Sequence, residues 1–74
     1  MFESVLQSRN GRVTRLNRNG LGYIRDTQNG EYAFTFDKIL RYRGQRASEI
    51  GLREGSQVRF REVDGRIQSI EIIR

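Results

Sequence analysis

The sequence contains no cysteine and no histidine. Without cysteine there can be no disulfide bond, thiol chemistry or thiolate metal site. Without histidine the chain lacks the side chain that most often serves as a general base, and also the commonest nitrogen ligand of metals. No clustered Asp/Glu spacing indicates a carboxylate metal site, and no predicted strand presents Ser, Thr or Lys38 beside a carboxylate base. We therefore expect no metal, no cofactor and no enzymatic activity.

Long apolar segments are also missing. No apolar run approaches the length of a membrane span, and the N-terminal MFESVLQS is too short and too polar for the apolar part of a signal peptide. With 74 residues, of which 35% are hydrophobic, the chain has room for one small core. The sequence thus predicts a single soluble domain over residues 1–74, cytoplasmic and without membrane contact.

Acidic residues are scarce in the first third of the chain. Residues 1–25 contain five arginines and one glutamate, so they carry +4 of the net charge of +5. All but one of the fourteen cations are arginine, whose planar guanidinium grips phosphate with two hydrogen bonds and stacks on bases. This distribution predicts that one part of the fold is basic. It favours a polyanionic partner over a surface that is basic only for solubility.

Alternation of polar and apolar residues indicates five β-strands and no long helix. The strands are predicted at residues 12–17, 21–26, 31–36, 56–63 and 66–73. Three short segments between them are typical of tight turns, namely Asn19-Gly20, Gln28-Asn29-Gly30 and Asp64-Gly65. So many hairpins in a short chain predict an all-β barrel, because closure removes sheet edges that a small open sheet would leave exposed.

The long connection between strands 3 and 4, over residues 37–55, contains both apolar and basic residues. A helical turn is predicted over residues 37–41, and Ile50 and Leu52 are expected to pack under the barrel. Tyr42 lies among several arginines, and two interpretations stay open. Either the loop is functional, or Tyr42 covers the end of the barrel and the arginines are solvated.

Residues 1–8 are predicted to form an N-terminal extension. Phe2, Val5 and Leu6 have helical spacing there. We expect them to form a turn that closes one mouth of the barrel.

Four segments occur in the order GRVTRLN, NGLGYI, YAFTFDKI and EGSQVRF. Together they resemble the cold-shock domain, a small five-stranded antiparallel Greek-key OB-fold barrel that binds single-stranded RNA and DNA. The resemblance spans roughly residues 9–72, and an S1-like RNA-binding OB domain is a variant of the same interpretation. Agreement is best at glycines and inward positions: Gly11, Val13, Asn17, Gly20, Gly22, Ile24, Phe36, Ile39, Gly55, Val58 and Phe60.

The outward face departs from the family's aromatic pattern, which is Lys-Gly-Phe-Gly-Phe-Ile in the second strand and Val-Phe-Val-His-Phe in the third. Arg15 stands where the family has tryptophan. Leu21 and Tyr23 replace two phenylalanines, and Ala33 and Thr35 replace phenylalanine and histidine. The resemblance therefore implies a stacking surface reduced to one or two rings.

Strand parity assigns the neighbouring residues to the interior. Tyr32 and Phe34 point opposite to Ala33 and Thr35, and two large aromatic side chains are expected to fill the core. Gly22 is expected to face inward where the second strand curls, since glycine inside a strand is typical of a tight bend or a close approach.

The arginine pattern and the resemblance together predict a module that binds single-stranded RNA or DNA with low sequence specificity. Arginine–phosphate contacts would provide most of the affinity, and Arg15 is expected to stack where the family has tryptophan. The candidate contact residues are Arg12, Arg15, Asn19, Leu21, Tyr23, Arg25, Thr35, Phe36, Arg41, Tyr42, Arg43 and Arg66. An alternative assigns the face to a protein partner or a weak homodimer, because Leu21, Tyr23 and Ala33 form a small apolar surface rimmed by arginine.

Overall fold

The computed structural model describes residues 8–17 and 19–73. It contains all five predicted strands: β1 (Arg9–Leu16), β2 (Leu21–Asp26), β3 (Glu31–Thr35), β4 (Gln57–Val63) and β5 (Arg66–Ile72). The first strand begins three residues earlier than predicted, and the other strand ends agree to within one residue. The turn predicted for Phe2, Val5 and Leu6 lies outside the described residues.

The strands form one antiparallel sheet in the order β3-β2-β1-β4-β5. The sheet curls so that its two edge strands approach each other. Ile39, just after β3, forms a parallel bridge with Ile70 of β5, and the Leu40 N–H donates to the Ile70 carbonyl at 2.9 Å. This strand order is that of the Greek-key OB fold, so the predicted small all-β barrel is confirmed as a curled half-barrel.

The central strand β1 pairs with two partners along its length. Residues 9–12 pair with β4, and residues 11–16 pair with β2. The register with β2 shifts between Val13 and Arg15, which leaves Thr14 as the extra residue of a β-bulge. The bulge reverses the normal alternation of side chains for the rest of β1, a consequence that matters for the site.

The core lies inside the curled sheet. Phe34 is 3% exposed, and the half-buried Tyr32 packs against the core with its ring centre 5.5 Å from that of Phe60. The interior position predicted for these two aromatic residues is therefore correct. Each large apolar side chain buried in this way contributes about 1.5–3 kcal/mol to folding. The buried apolar residues are Val13, Ile24, Phe34, Phe36, Ile39, Leu52, Val58, Phe60, Ile67 and Ile70.

Gly22 faces inward, as predicted, directly opposite Phe34 in the β2–β3 ladder. A Cβ atom at this position would lie 2.6 Å from Cζ of Phe34 and 3.0 Å from Cδ2 of Leu16. Both distances are too short for carbon atoms in contact. Glycine is needed here because the Phe34 ring packs against the β2 backbone.

All three predicted turns contain the left-handed backbone that their sequences favour, and in the first of them Gly20 has a φ of 79°. Asp64 and Gly65 have φ values of 53° and 81°, and Asn29 has a φ of 69°. Positive φ at both central residues is the requirement of a tight hairpin turn of type I′, which explains the Asp-Gly pair.

The connection from β3 to β4 contains two short 3₁₀ helices, Phe36–Lys38 and Ala47–Ile50. The first is shorter than the turn predicted over residues 37–41 and begins one residue earlier. Leu52 is buried and Ile50 packs partly against the core, as expected. None of the helices in the described part of the chain is long and apolar enough to cross a membrane.

The Asp26 carboxylate organises the turn from β2 to β3. Its Oδ1 atom accepts hydrogen bonds from the backbone N–H of Gln28 at 2.9 Å and of Gly30 at 2.7 Å. Its Oδ2 atom accepts one from the Tyr32 hydroxyl at 3.2 Å and lies 3.5 Å from Nη1 of Arg9. Burial raises the pKa of Asp26, but these hydrogen bonds and the charge of Arg9 outweigh it and leave the pKa below its ordinary value.

Candidate nucleic-acid interface

One side of β1, β2 and β3 forms a continuous surface, which we call the outer face. Residues opposite one another on paired strands share a side of the sheet, so the ladder registers define its rows. The rows are Arg15–Tyr23–Ala33, Arg12–Arg25–Glu31 and Leu21–Thr35. Six of the predicted contact residues thereby come together: Arg12, Arg15, Leu21, Tyr23, Arg25 and Thr35. Arg15 is opposite Tyr23, and Arg12 and Arg25 form the next row.

The bulge at Thr14 is what brings Arg12 and Arg15 to the same face. Residues three apart on a regular strand point to opposite sides of the sheet. Here Thr14 is the extra residue of the bulge, so the side chains of Arg12 and Arg15 point to the same side of the sheet. The Thr14 hydroxyl donates to the Tyr23 carbonyl at 3.4 Å. Both arginines are exposed and both belong to the outer face.

Tyr23 is the aromatic residue of the outer face, and Arg15 lies beside it. The Cζ atom of Arg15 is 5.6 Å from the centre of the half-buried Tyr23 ring. A guanidinium at this distance is attracted by the electrons of the ring, by about 0.5–1 kcal/mol at an exposed site. The contact positions a flat cationic group next to a flat ring.

Arg12 and Arg25 stand directly opposite each other on β1 and β2. Like charges in this arrangement destabilise a sheet. Within residues 8–17 and 19–73 neither has a carboxylate in ion-pair distance; the ion pairs found there are Arg9–Asp26, Arg9–Glu62 and Arg59–Glu71. The carboxylates of Asp26, Glu62 and Glu71 therefore do not neutralise the positive charge of Arg12 and Arg25 on the outer face.

The β3 end of the outer face is less basic. The Thr35 hydroxyl donates a hydrogen bond to the carboxylate of Asp37, and Glu31 stands opposite Arg25. Leu21 is half-buried opposite Thr35, and Asn19 is exposed in the preceding turn. Carboxylates near β3 repel phosphate, so the anion-binding potential of the face is concentrated on β1 and β2.

Two predicted aromatic contact residues belong to the packing instead. Phe36 is only 7% exposed and its ring lies 6.1 Å from that of Phe34. Tyr42 packs edge-on against Phe36 at 5.9 Å, and its hydroxyl donates to the Gln45 carbonyl at 2.8 Å. The structure therefore places the Phe36 ring in the core, where little of it is exposed. For Tyr42 the structure favours the interpretation that it covers the barrel end.

The remaining predicted arginines do not belong to the strand rows of the outer face. Arg41, with a φ of 67°, lines a separate cavity beside Ile39 and Glu71. Arg43 is exposed further along the connection, and Arg66 begins β5 at the β4–β5 turn. The structure does not bring these three residues together with Arg12, Arg15 and Arg25.

The outer face also continues onto β4, which the sequence analysis did not foresee. Asn10 is opposite Arg59, and Arg12 is opposite Gln57. A cavity of about 610 Å³ follows this side of the sheet. We call the outward polar residues that line it on β1, β2 and β4 the β1–β4 groove: Asn10, Arg12, Thr14, Arg25, Gln57 and Arg59. The alternation of Gln57 and Arg59 with buried Val58 showed that they point outward, but no sequence signal showed which strand would pair with them.

Among the described residues, no group of three or more His, Cys, Asp or Glu side chains is arranged to hold a metal ion. Searches with protein-family models and against curated proteins give no match to this sequence. The assignment of function therefore depends on the geometry and charge of the outer face.

Proposed function

We propose that the protein is a nucleic-acid-binding module for single-stranded RNA or DNA, with low sequence specificity. One observation carries the proposal: Arg15 lies beside the Tyr23 ring, Arg12 and Arg25 form the next row of the same face, and no ion pair in the described part of the chain involves these arginines. The resemblance of the sequence to cold-shock domains supports the same assignment.

Each arginine on the face neutralises a phosphate and releases the counterions that surrounded it. Phosphates are the same in every sequence, so these contacts give affinity without base specificity. An unpaired base stacks on Tyr23 or on the Arg15 guanidinium beside it. One such ring contributes about 1–3 kcal/mol, so phosphate contacts provide most of the affinity.

Affinity measured by fluorescence anisotropy at several salt concentrations tests this proposal. Mixed-sequence single-stranded RNA, single-stranded DNA and duplex DNA are compared between about 50 and 200 mM salt. Three arginine–phosphate contacts give a slope of log K against log salt of about −2 for single strands. A slope near zero, or no binding to any oligonucleotide at low salt, would refute the proposal.

A second candidate function uses the same surface for a protein partner or for a second copy of the chain. The observation in its favour is the apolar strip formed by Leu21, Tyr23 and exposed Ala33. A chemical-shift titration separates the two functions. Shifts of these residues that follow oligonucleotide concentration support nucleic-acid binding, whereas shifts that follow protein concentration alone support self-association.

A further inference from the structure

We infer that the phosphate backbone of the bound strand runs along β1 and into the β1–β4 groove, where Arg12, Arg25 and Arg59 form a phosphate-binding site. This inference rests on the proposed function and adds to it the path of the strand. It makes Arg59 of β4 a contact residue, and it leaves the loop arginines Arg41 and Arg43 outside the contact surface.

The spacing of the basic rows supports this path. From Tyr23 to Arg25 is two residues along β2, and from Arg12 to Asn10, opposite Arg59, is two residues along β1. Two residues of a strand span about 7 Å, similar to the separation of successive phosphates in an extended single strand. A base stacked at Tyr23 thus has phosphate positions at the next two rows of the sheet.

Arg12 and Arg25, which form no ion pair with a described carboxylate, supply the attraction. An anion between Arg12 and Arg25 relieves the repulsion between these opposed guanidinium groups. Arg59 is paired with Glu71 at 3.6 Å, but both side chains are about half exposed, so this ion pair is weak and a phosphate can compete for the arginine.

The polar and acidic neighbours fit the same path. Asn10 and Gln57 are exposed and place amide N–H donors beside the arginines. Asp26 also borders the cavity, but its carboxylate already accepts hydrogen bonds from the β2–β3 turn and from Tyr32. At the β3 end of the outer face, the carboxylates of Glu31 and Asp37 disfavour a path across β3.

Four substitutions that each remove one positive charge test the path. Arg25→Gln and Arg59→Gln lie in the groove, and Arg43→Gln and Arg66→Gln are matched controls at exposed positions outside it. Each groove variant should reduce the salt slope for single-stranded DNA by about 0.7 and weaken binding about three- to tenfold at low salt. Each control should change affinity by less than about twofold, because it removes a charge that does not line the groove. Thermal unfolding of all four proteins checks that they are folded.

A complementary pair of variants removes negative charge. Glu71→Gln frees Arg59 and should strengthen binding about two- to threefold, whereas Glu54→Gln, outside the groove, should change it less. Equal effects of groove and control variants in both sets would overturn the inferred path while leaving the proposed function intact. Failure of the wild-type protein to bind any oligonucleotide would overturn both.

Discussion

Arg15 and Tyr23 face each other across β1 and β2, with the guanidinium carbon 5.6 Å from the centre of the ring. The contact exists because the Thr14 bulge turns Arg15 to the outer face. It places the two flat groups of this surface side by side, and it connects a local irregularity of one strand to the chemistry proposed for the face.

Replacing Tyr23 with alanine should weaken binding to single strands by about 1–3 kcal/mol, which is about 5- to 150-fold. Duplex binding should change much less, because stacking on a side chain requires an unpaired base. Anisotropy titrations with a single strand and the matching duplex measure both effects. Tyr23→Phe is the control and should bind like the wild type, since it keeps the ring. Equal losses for single strand and duplex would show that Tyr23 does not stack on bases.

Replacing Gly22 with alanine should destabilise the fold by about 1–3 kcal/mol, the usual cost of forcing an extra carbon into a packed core. The new Cβ would lie 2.6 Å from the Phe34 ring. Chemical denaturation followed by circular dichroism measures the free energy of unfolding.

The same substitution in a Phe34→Leu background provides the control for Gly22. A smaller side chain leaves space above β2, so the cost of Gly22→Ala should fall to about half or less in that background. An unchanged cost would mean that the ring is not the reason for the glycine.

Acid should destabilise the protein through Asp26. Its pKa is lower in the folded protein than the ordinary value of about 4, so the unfolded chain binds this proton more readily. The stabilisation from the carboxylate is therefore complete above about pH 5 and is lost as the pH falls through the lowered folded-state pKa. Unfolding free energies measured from about pH 2 to pH 6 show this as a slope of at most one proton.

Asp26→Asn should remove this component of the acid slope and lower stability at neutral pH, because an amide cannot replace both acceptor oxygens. Asp64→Asn is the matched control. Asp64 is exposed and has a positive φ that asparagine also tolerates, so the acid slope should persist in that variant. Identical acid slopes in the wild type and Asp26→Asn would contradict the role assigned to this carboxylate.

Much of the barrel could be predicted from local sequence. The Asp64-Gly65 turn, the alternation of Val58 and Phe60 with polar residues, and the parity argument for Phe34 each depend on neighbouring residues only. These predictions hold in the folded protein because turn geometry and the two-residue period of a strand are properties of a short stretch of backbone.

The candidate site was less predictable because long-range packing decides it. Phe36 and Tyr42 were predicted as contact residues from the sequence, but in the structure the Tyr42 ring packs edge-on against the Phe36 ring. The role of Asp26 was not predicted from the sequence, because its hydrogen-bond donors come together only when the turn from β2 to β3 forms. Arg59 was visible as an outward arginine, yet its place beside β1 follows from strand pairing across more than forty residues.

The sequence by itself determined the strands, the turns, the positive charge of the first third and the absence of cysteine and histidine chemistry. The tertiary structure decided which arginines share a face. The physical reason is register: one extra residue at Thr14 brings Arg12 and Arg15 to the same side, and the pairing of β1 with β4 sets Arg59 opposite Asn10. Both depend on hydrogen bonds between strands, which no single stretch of the chain contains.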